Sequence, residues 1–288
     1  MPGSRSIAVV TDSTASLPED VAAERGIVVL PLQVVIGADS FDESSPEATP
    51  ERVAEALRDY RPVSTSRPSP AAFADLYDRL ARSGTKQILS IHLSGDMSGT
   101  FESAQLAARD VGVRVVCVDS RQVGVATGYA ALAAADAVGR GASVEEAAEA
   151  ARRRADASSS YFYVDTLEYL RRGGRIGAAA ALLGGALAVK PILTIEEGVV
   201  SSLEKVRTSG RALARLAELA VAAAGEQQVD VCVAHLANPD RAVTLAEDLA
   251  TRMGDRLGGR EVWCAEVGAV LGAHVGPGTI AVCVSPRV

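Results

Sequence analysis

The stretch from Lys86 to Ser103, KQILSIHLSGDMSGTFES, constrains the fold of this chain more than any other. An apolar run, Ile88-Leu89-Ser90-Ile91, gives way to Leu93-Ser94-Gly95-Asp96-Met97-Ser98-Gly99-Thr100, a loop of small hydroxyl and glycine residues that opens into a helical pattern. Strand, tight turn and helix N-terminus in that order form the repeating unit of α/β folds. The first backbone N–H groups of such a helix lack intrahelical partners and carry the positive end of its dipole, so the turn suits an anionic group. Gly95 and Gly99 permit close backbone approach, and Ser94, Ser98 and Thr100 add hydroxyls. The local alternative is that Ser94, Asp96 and Ser98 merely cap the helix. Two sharper chemistries fail on spacing. A phosphate-binding P-loop needs Lys after its second glycine, and a nucleophile elbow needs G-x-S-x-G, whereas Ser98 stands one position late between Gly95 and Gly99.

The same rhythm recurs along the chain. Ile7 to Val10 reads as a strand ending in Thr11-Asp12-Ser13-Thr14, and Val113 to Val118 as one ending in Asp119-Ser120. Ligands of open parallel sheets sit at such strand ends. Ile27 to Val35 reads as a strand interrupted by Pro31, hence an edge or a bulge. An acidic loop follows from Gly37 to Pro50, then a helix from Thr49-Pro50-Glu51 to Tyr60. Arg61 to Pro70 reads as a loop bearing a second hydroxyl cluster, Ser64-Thr65-Ser66, and capping the next helix through Ser69 and Pro70. An Ala-rich helical region from Val125 to Ala155 is broken between Gly139 and Ser143. The composition shifts at Ser158-Ser159-Ser160, which places a boundary there. The expected architecture is α/β in two domains: residues 1–160, with a mostly parallel sheet, and residues 161–288, a mixed α+β domain with a hairpin about Glu197-Gly198.

Composition narrows the functional classes. With 288 residues, 48% of them hydrophobic, the chain has ample material for a core. Its net charge of −7, with no basic block longer than Arg152-Arg153-Arg154, argues against a nucleic-acid partner. Four cysteines stand singly with no C-x-x-C spacing and read as small buried core residues in a reducing compartment. The chain reaches Thr11-Asp12 before a signal-peptide apolar region could form, and its uncharged Ala/Leu-rich run, Ile176 to Val189, falls short of the ~20 residues of a spanning helix. A soluble cytoplasmic protein, touching a membrane surface at most transiently, is expected.

None of His92, His235 and His274 has a partner at metal-ligand spacing, so no metal is expected. His92 lies within a strand and reads as a packed core residue. His274 sits in a glycine-rich stretch, Gly268 to Gly278, whose backbone freedom is costly unless something approaches it. Arg175 follows two glycines and precedes the Ala/Leu-rich segment Ile176 to Val189, which sets a guanidinium beside an apolar wall. Hydroxyl loops, one Arg, one His and Ala/Leu surface together suggest a site for an anionic head with an apolar tail.

Seven short motifs carry a family resemblance. Thr11-Asp12-Ser13; Ser64-Thr65-Ser66 with Pro68-Ser69; Leu93-Ser94 with Ser98-Gly99-Thr100; Arg172-Gly173-Gly174-Arg175-Ile176; Lys190-Pro191; Lys205-Val206-Arg207-Thr208; and Ala273-His274-Val275-Gly276 resemble, in this order and over nearly the whole chain, the DegV family. The resemblance implies a bacterial fatty-acid-binding protein of two α/β domains with the acyl chain between them and no cofactor. It implies that a long-chain fatty acid such as palmitate or oleate is presented to an ATP-dependent fatty acid kinase subunit, which phosphorylates the carboxylate. Carried over by position, Thr65 and Ser98 hydrogen-bond the carboxylate, Ser94, Gly99, His274 and Arg175 belong to the polar network around it, and Arg207 faces the kinase. One departure is Gly95, which stands where the family usually has a second serine. At ~0.8 kcal/mol per buried methylene, a C16 tail represents about 12 kcal/mol gross, so the head serves orientation more than affinity.

Two other classes remain open at this level. Ser98 as nucleophile, His274 as base and Asp12 or Asp119 as orienter would make a serine-dependent acyl hydrolase or transferase. A fatty-acid sensor would bind lipid and pass nothing on. The Lys205, Arg207 and Arg211 cluster before a helix N-terminus is either paired with acids such as Glu204 or forms a basic patch for another molecule.

Overall fold

In the computed structural model, which describes residues 6–182 and 190–287, the strand expected at the head of the key loop is β6 (Gln87–His92). It lies in a four-stranded, all-parallel sheet of order β2-β1-β6-β7, with β1 (Ile7–Asp12), β2 (Ile27–Leu30) and β7 (Arg114–Asp119). Side chains alternate along a strand, and here both faces are covered. Leu89 and Ile91 join Val9 in a cluster with the alanines of α5 (Val125–Gly139) and α6 (Val144–Ala157). On the opposite face Ile88 and Val10 pack with Phe73, Leu76 and Tyr77 of α3 (Pro70–Arg82) and Ala104 and Ala107 of α4 (Thr100–Ala107). By the same alternation Ser90 and His92 point to the α3 side, into the core.

The chain divides into two compact units, and neither is contiguous. Unit 1 comprises residues up to Gln33 and Ser66–Asp156; unit 2 comprises Val34–Thr65 and Ala157–Arg287. A single cut into 1–160 and 161–288 therefore misplaces the segment Val34–Thr65. The reason lies at Pro31, whose missing N–H cannot continue the ladder of β2. β2 is an edge strand, as Pro31 suggested, and the chain beyond it pairs elsewhere. There β3 (Gln33–Ile36) is central in a three-stranded sheet of order β4-β3-β5, with β4 (Asp39–Asp42) and β5 (Val63–Ser66). The Ser64-Thr65-Ser66 cluster thus lies on a strand rather than in the loop expected from the sequence. Along it Val63 and Thr65 are half-buried while Ser64 and Ser66 are exposed.

Unit 2 also holds a six-stranded mixed sheet of order β10-β9-β8-β13-β11-β12: β8 (Ser159–Tyr163), β9 (Lys190–Glu196), β10 (Val199–Val206), β11 (Val229–His235), β12 (Trp263–Glu266) and β13 (Ile280–Pro286). Its pairs are antiparallel except β11 with β12. Helices α8 (Ser209–Ala224) and α9 (Pro239–Met253) bury Leu216, Ala220, Leu245 and Leu249 against it. The glycine-rich stretch Gly268 to Gly278, read from sequence as backbone whose freedom is costly unless something approaches it, contains α10 (Ala269–Val275). Ala269 and Ala273 pack on Val53 and Ala56 of α2 (Pro50–Arg58), which overrides the weak intrinsic helix tendency of Gly272. Of the Ala/Leu segment expected as an apolar wall, Gly177–Leu182 forms a 3-10 turn, and residues 183–189 lie outside the described residues.

Two further expectations are corrected or refined. Cys232 and Cys283 are buried and Cys117 half-buried, but Cys264 on the edge strand β12 is exposed, because only one face of a short edge strand is covered. Among the described residues no helix is long and apolar enough to cross a membrane, and no group of His, Cys, Asp and Glu could hold a metal ion.

Close packing in unit 1 generates a stability prediction. A Cβ added at Gly128 of α5 would lie 2.5 Å from the Ala15 carbonyl oxygen and 2.9 Å from Leu17. Gly128→Ala should lower unfolding free energy by about 1–3 kcal/mol through overpacking, although alanine favours a helix by ~1 kcal/mol. Equal or greater stability in urea titration would refute this account of the α5 contact.

Candidate functional site

Unit 2 holds a cavity of about 460 Å³ whose wall includes Thr65, Tyr169, Gly173, Arg175 and His274. Each polar member is set there by a different element. Thr65 is on the inward-facing side of β5, Arg175 follows α7 (Glu168–Arg172), and His274 is in the last turn of α10. The segment around β4 fixes α10 from a distance in sequence: the Glu43 carboxylate accepts the Val270 N–H at 2.7 Å, at the positive end of the short helix. Thus the piece Val34–Thr65 supplies Thr65 and also holds the helix that carries His274.

His274 Nε2 and Thr65 Oγ1 are 2.8 Å apart. The other ring nitrogen, Nδ1, is buried and has no hydrogen-bond partner among the described residues. A Cβ at Gly173 would come within 2.2 Å of it, so the close seat of the imidazole requires glycine there. Burial, and secondarily the charge of Arg175, pushes the His274 pKa down to about 4, so the ring is neutral at ordinary pH. Of its two neutral tautomers, the one with hydrogen on Nε2 leaves only an acceptor lone pair unpaired at Nδ1, which is the smaller cost. In that form Nε2–H donates to Thr65 Oγ1, and the threonine's own hydrogen remains for another acceptor. Arg175 donates to the Gly173 carbonyl and stands half-buried. The cavity therefore presents hydroxyls and the guanidinium groups of Arg61, Arg172 and Arg175 but no carboxylate among its lining residues, a set that suits an anion.

The hydroxyl loop belongs to unit 1. Ser94 is buried, with its N–H donated to the Gln122 carbonyl at 2.8 Å and its Oγ accepting the Asp96 N–H at 3.3 Å. Its carbonyl accepts the N–H groups of Met97 and Ser98 at 3.1 and 3.0 Å. Ser98 is half-buried, and its Oγ lies 2.9 Å from Thr100 Oγ1. Gly99 is the N-cap of α4, with the Arg67 guanidinium against its Cα. The sequence-level candidates thus fall into two groups, Thr65, Arg175 and His274 in one cavity and Ser94, Ser98 and Gly99 in one loop.

The orienters considered for an acyl hydrolase have other partners. Asp12 accepts from His92 Nδ1 at 2.8 Å, and Asp119 accepts the backbone N–H groups of Gly95 and Arg121 at 3.2 and 2.8 Å. Glu204 also proves to be engaged, but by Arg215 of α8, which it meets at 2.6 Å. Lys205, Arg207 and Arg211 are exposed and in no ion pair among the described residues. Sequence reasoning missed Glu43, one member of an acidic loop; no local pattern marks it as the cap of a helix 227 positions away.

A protein-family model described as "Uncharacterised protein, DegV family" matches residues 6–287. A DegV domain-containing protein of Streptomyces coelicolor is 51% identical over 99% of this chain and 100% of its own. Protein DegV of Bacillus subtilis is 34% identical, over 96% of this chain and 98% of its own. Among solved structures, a DegV family protein from Thermus thermophilus described by its fatty acid binding superposes with TM-score 0.88 at 33% identity, covering 97% of this chain and 99% of that one. The Bacillus subtilis DegV structure, described as a fatty acid binding protein, gives TM-score 0.88 at 33% identity over 98% and 99% of the two chains.

The neutral buried histidine sets a pH dependence. Its pKa is about 4 in the folded chain against 6.5 when solvated, so between these values the unfolded chain holds more protons and stability falls as pH drops. His274→Asn should remove this contribution, on the order of 3 kcal/mol between pH 7 and pH 4. Urea unfolding of both proteins at the two pH values measures it, and parallel acid losses in the two would contradict a neutral, buried ring.

Proposed function

The chain belongs to the DegV family, and from that premise we propose that it binds a long-chain fatty acid, with the carboxylate held by loop and strand hydroxyls. The observation that carries this reading is the likeness, over almost the full chain, to solved structures described as fatty acid binding. The cavity chemistry supports it. Thr65 keeps a hydrogen to donate, His274 holds that hydroxyl, and Arg61, Arg172 and Arg175 of the cavity wall supply positive potential. Ser98, with Ser94 and Gly99 shaping its loop, is assigned to the same carboxylate by family position. The protein acts as a cytoplasmic carrier with no turnover of its own, and generic esters should stay intact in its presence.

Mass spectrometry of an organic extract of the purified protein should reveal fatty acid, and oleate or palmitate should rebind after delipidation. Thr65→Ala and Ser98→Ala should each fold normally and weaken binding by about 1.5–3 kcal/mol, the worth of a hydrogen bond to a charged group. A lipid-free extract with no rebinding, or a double variant that binds like wild type, would remove the carboxylate from these residues.

We further propose that the bound acid is presented to an ATP-dependent kinase subunit, which meets Arg207. Arg207 is exposed at the end of β10, and the nearest acid in sequence, Glu204, is committed to Arg215. Clustering Lys205, Arg207 and Arg211 beside the N-terminus of α8 opposes the helix dipole by up to ~1 kcal/mol, so the fold gains nothing from it. Arg207→Ala should therefore retain fatty-acid affinity and lose acyl-phosphate formation with a matching kinase, because exposed charges tune docking more than stability. Phosphorylation at the wild-type rate, or unfolding with loss of lipid, would end the assignment.

A further inference from the structure

Beneath the hydroxyl loop of unit 1 lies a chain of four side chains that the function above does not use. The Tyr77 hydroxyl donates to Ser90 Oγ at 2.8 Å, Ser90 Oγ lies 2.7 Å from His92 Nε2, and His92 Nδ1 lies 2.8 Å from Asp12 Oδ2. Ser90, His92, Asp12 and Tyr77 are all 0% exposed, and the Phe73 ring stands edge-on to the imidazole. No substrate reaches this Ser–His–Asp series, so it is not a nucleophile. Its hydrogens are nevertheless fully allotted. With the imidazole hydrogen on Nδ1, Tyr77 donates to Ser90, Ser90 to His92 and His92 to Asp12, one hydrogen per link and all in one direction.

The far end of the chain is the informative one. The Asp12 carboxylate also accepts the Leu93 N–H at 3.2 Å on the same oxygen as His92, and its other oxygen accepts both the N–H and the hydroxyl of Thr14. Leu93 is the first residue beyond β6, and the backbone bonds of Ser94 lead from it directly to Ser98. A carboxylate buried with four donors is a rigid anchor, and a small displacement of it is transmitted to the loop that follows.

We propose that Asp12 and His92 are positioning residues, which hold the Leu93–Thr100 loop through the Leu93 N–H and so fix the direction of the Ser98 hydroxyl. The inference rests on the fatty-acid reading for what Ser98 binds, and on the hydrogen bonds alone for what holds the loop. It also gives a role to Asp12 of the Thr11-Asp12-Ser13 motif.

Two substitutions of one residue separate positioning from packing. His92→Asn places an amide N–H where ring Nδ1–H faced Asp12, whereas His92→Gln places its amide at the Nε2 end and leaves Asp12 short of a donor. The full chain is measured by amide hydrogen exchange of peptides spanning residues 93–100, and by affinity for oleate and for oleyl alcohol, which lacks the carboxylate. His92→Gln should exchange faster in this loop and bind oleate about tenfold more weakly with oleyl alcohol unchanged, while His92→Asn restores both properties. Unchanged exchange in His92→Gln, or equal losses for both ligands in both variants, overturns the proposal, since the residue then serves packing alone. If Ser98→Ala loses oleate preference and His92→Gln keeps it, the positioning role fails and the fatty-acid reading stands. If wild type binds no oleate, the fatty-acid reading fails and the positioning of a carboxylate ligand fails with it. Should His92→Gln not fold, Ser90→Ala, which removes the hydroxyl holding ring Nε2, carries the same expectations at about twofold.

Discussion

Strand β6 has no face left for solvent, and much of unit 1 follows from that constraint. A parallel sheet covered by helices on both sides offers a ligand only the ends of its strands. The apolar residues Ile88, Leu89 and Ile91 satisfy the covering helices, so any polar side chain on the same strand must find its partners inside the protein. Leaving the hydroxyl of Ser90 or the ring of His92 unpaired would cost about 1–3 kcal/mol each. Tyr77 from α3 and Asp12 from β1 remove that cost, and in doing so they tie the sheet, the covering helix and the hydroxyl loop into one hydrogen-bonded series.

Unit 2 solves a different problem, that of burying a titratable ring next to a cation. Desolvation and the Arg175 charge both disfavour imidazolium, so His274 is held as a neutral hydrogen-bonding group. A neutral ring adds no charge of its own to the cavity, so the positive potential there comes from the arginines of its wall, Arg61, Arg172 and Arg175, and the imidazole acts only as a hydrogen-bonding group. This division of labour depends on a seat that only glycine at position 173 allows and on a helix capped by Glu43. The two chain segments involved meet because Pro31 ends one sheet and releases the following residues to build another.

Charge is handled in two opposite ways at the C-terminal end of β10. Glu204 and Arg215 pair with each other, and Arg215 also meets Glu218 at 2.7 Å, so that network is internally balanced. Lys205, Arg207 and Arg211 are left as exposed cations beside it. Half-exposed pairs contribute little to stability, about 0–1 kcal/mol each, so the arrangement adds little to the fold.

The sequence by itself determined the α/β rhythm, the extents of most helices and the hydroxyl tips, because these depend on local periodicity and on capping residues such as Thr49, Ser69 and Thr208. The hairpin about Glu197-Gly198 and the edge character of the strand before Pro31 were legible for the same reason. What only the tertiary structure decided are the pairings between distant segments. Val34–Thr65 joins unit 2, Ser64-Thr65-Ser66 becomes a strand, and α10 forms despite Gly272, each because a partner far along the chain supplies the missing hydrogen bonds or apolar contact. The meeting of Thr65 with His274 spans 209 positions, and local sequence carries no information about a contact whose free energy comes from burial and desolvation.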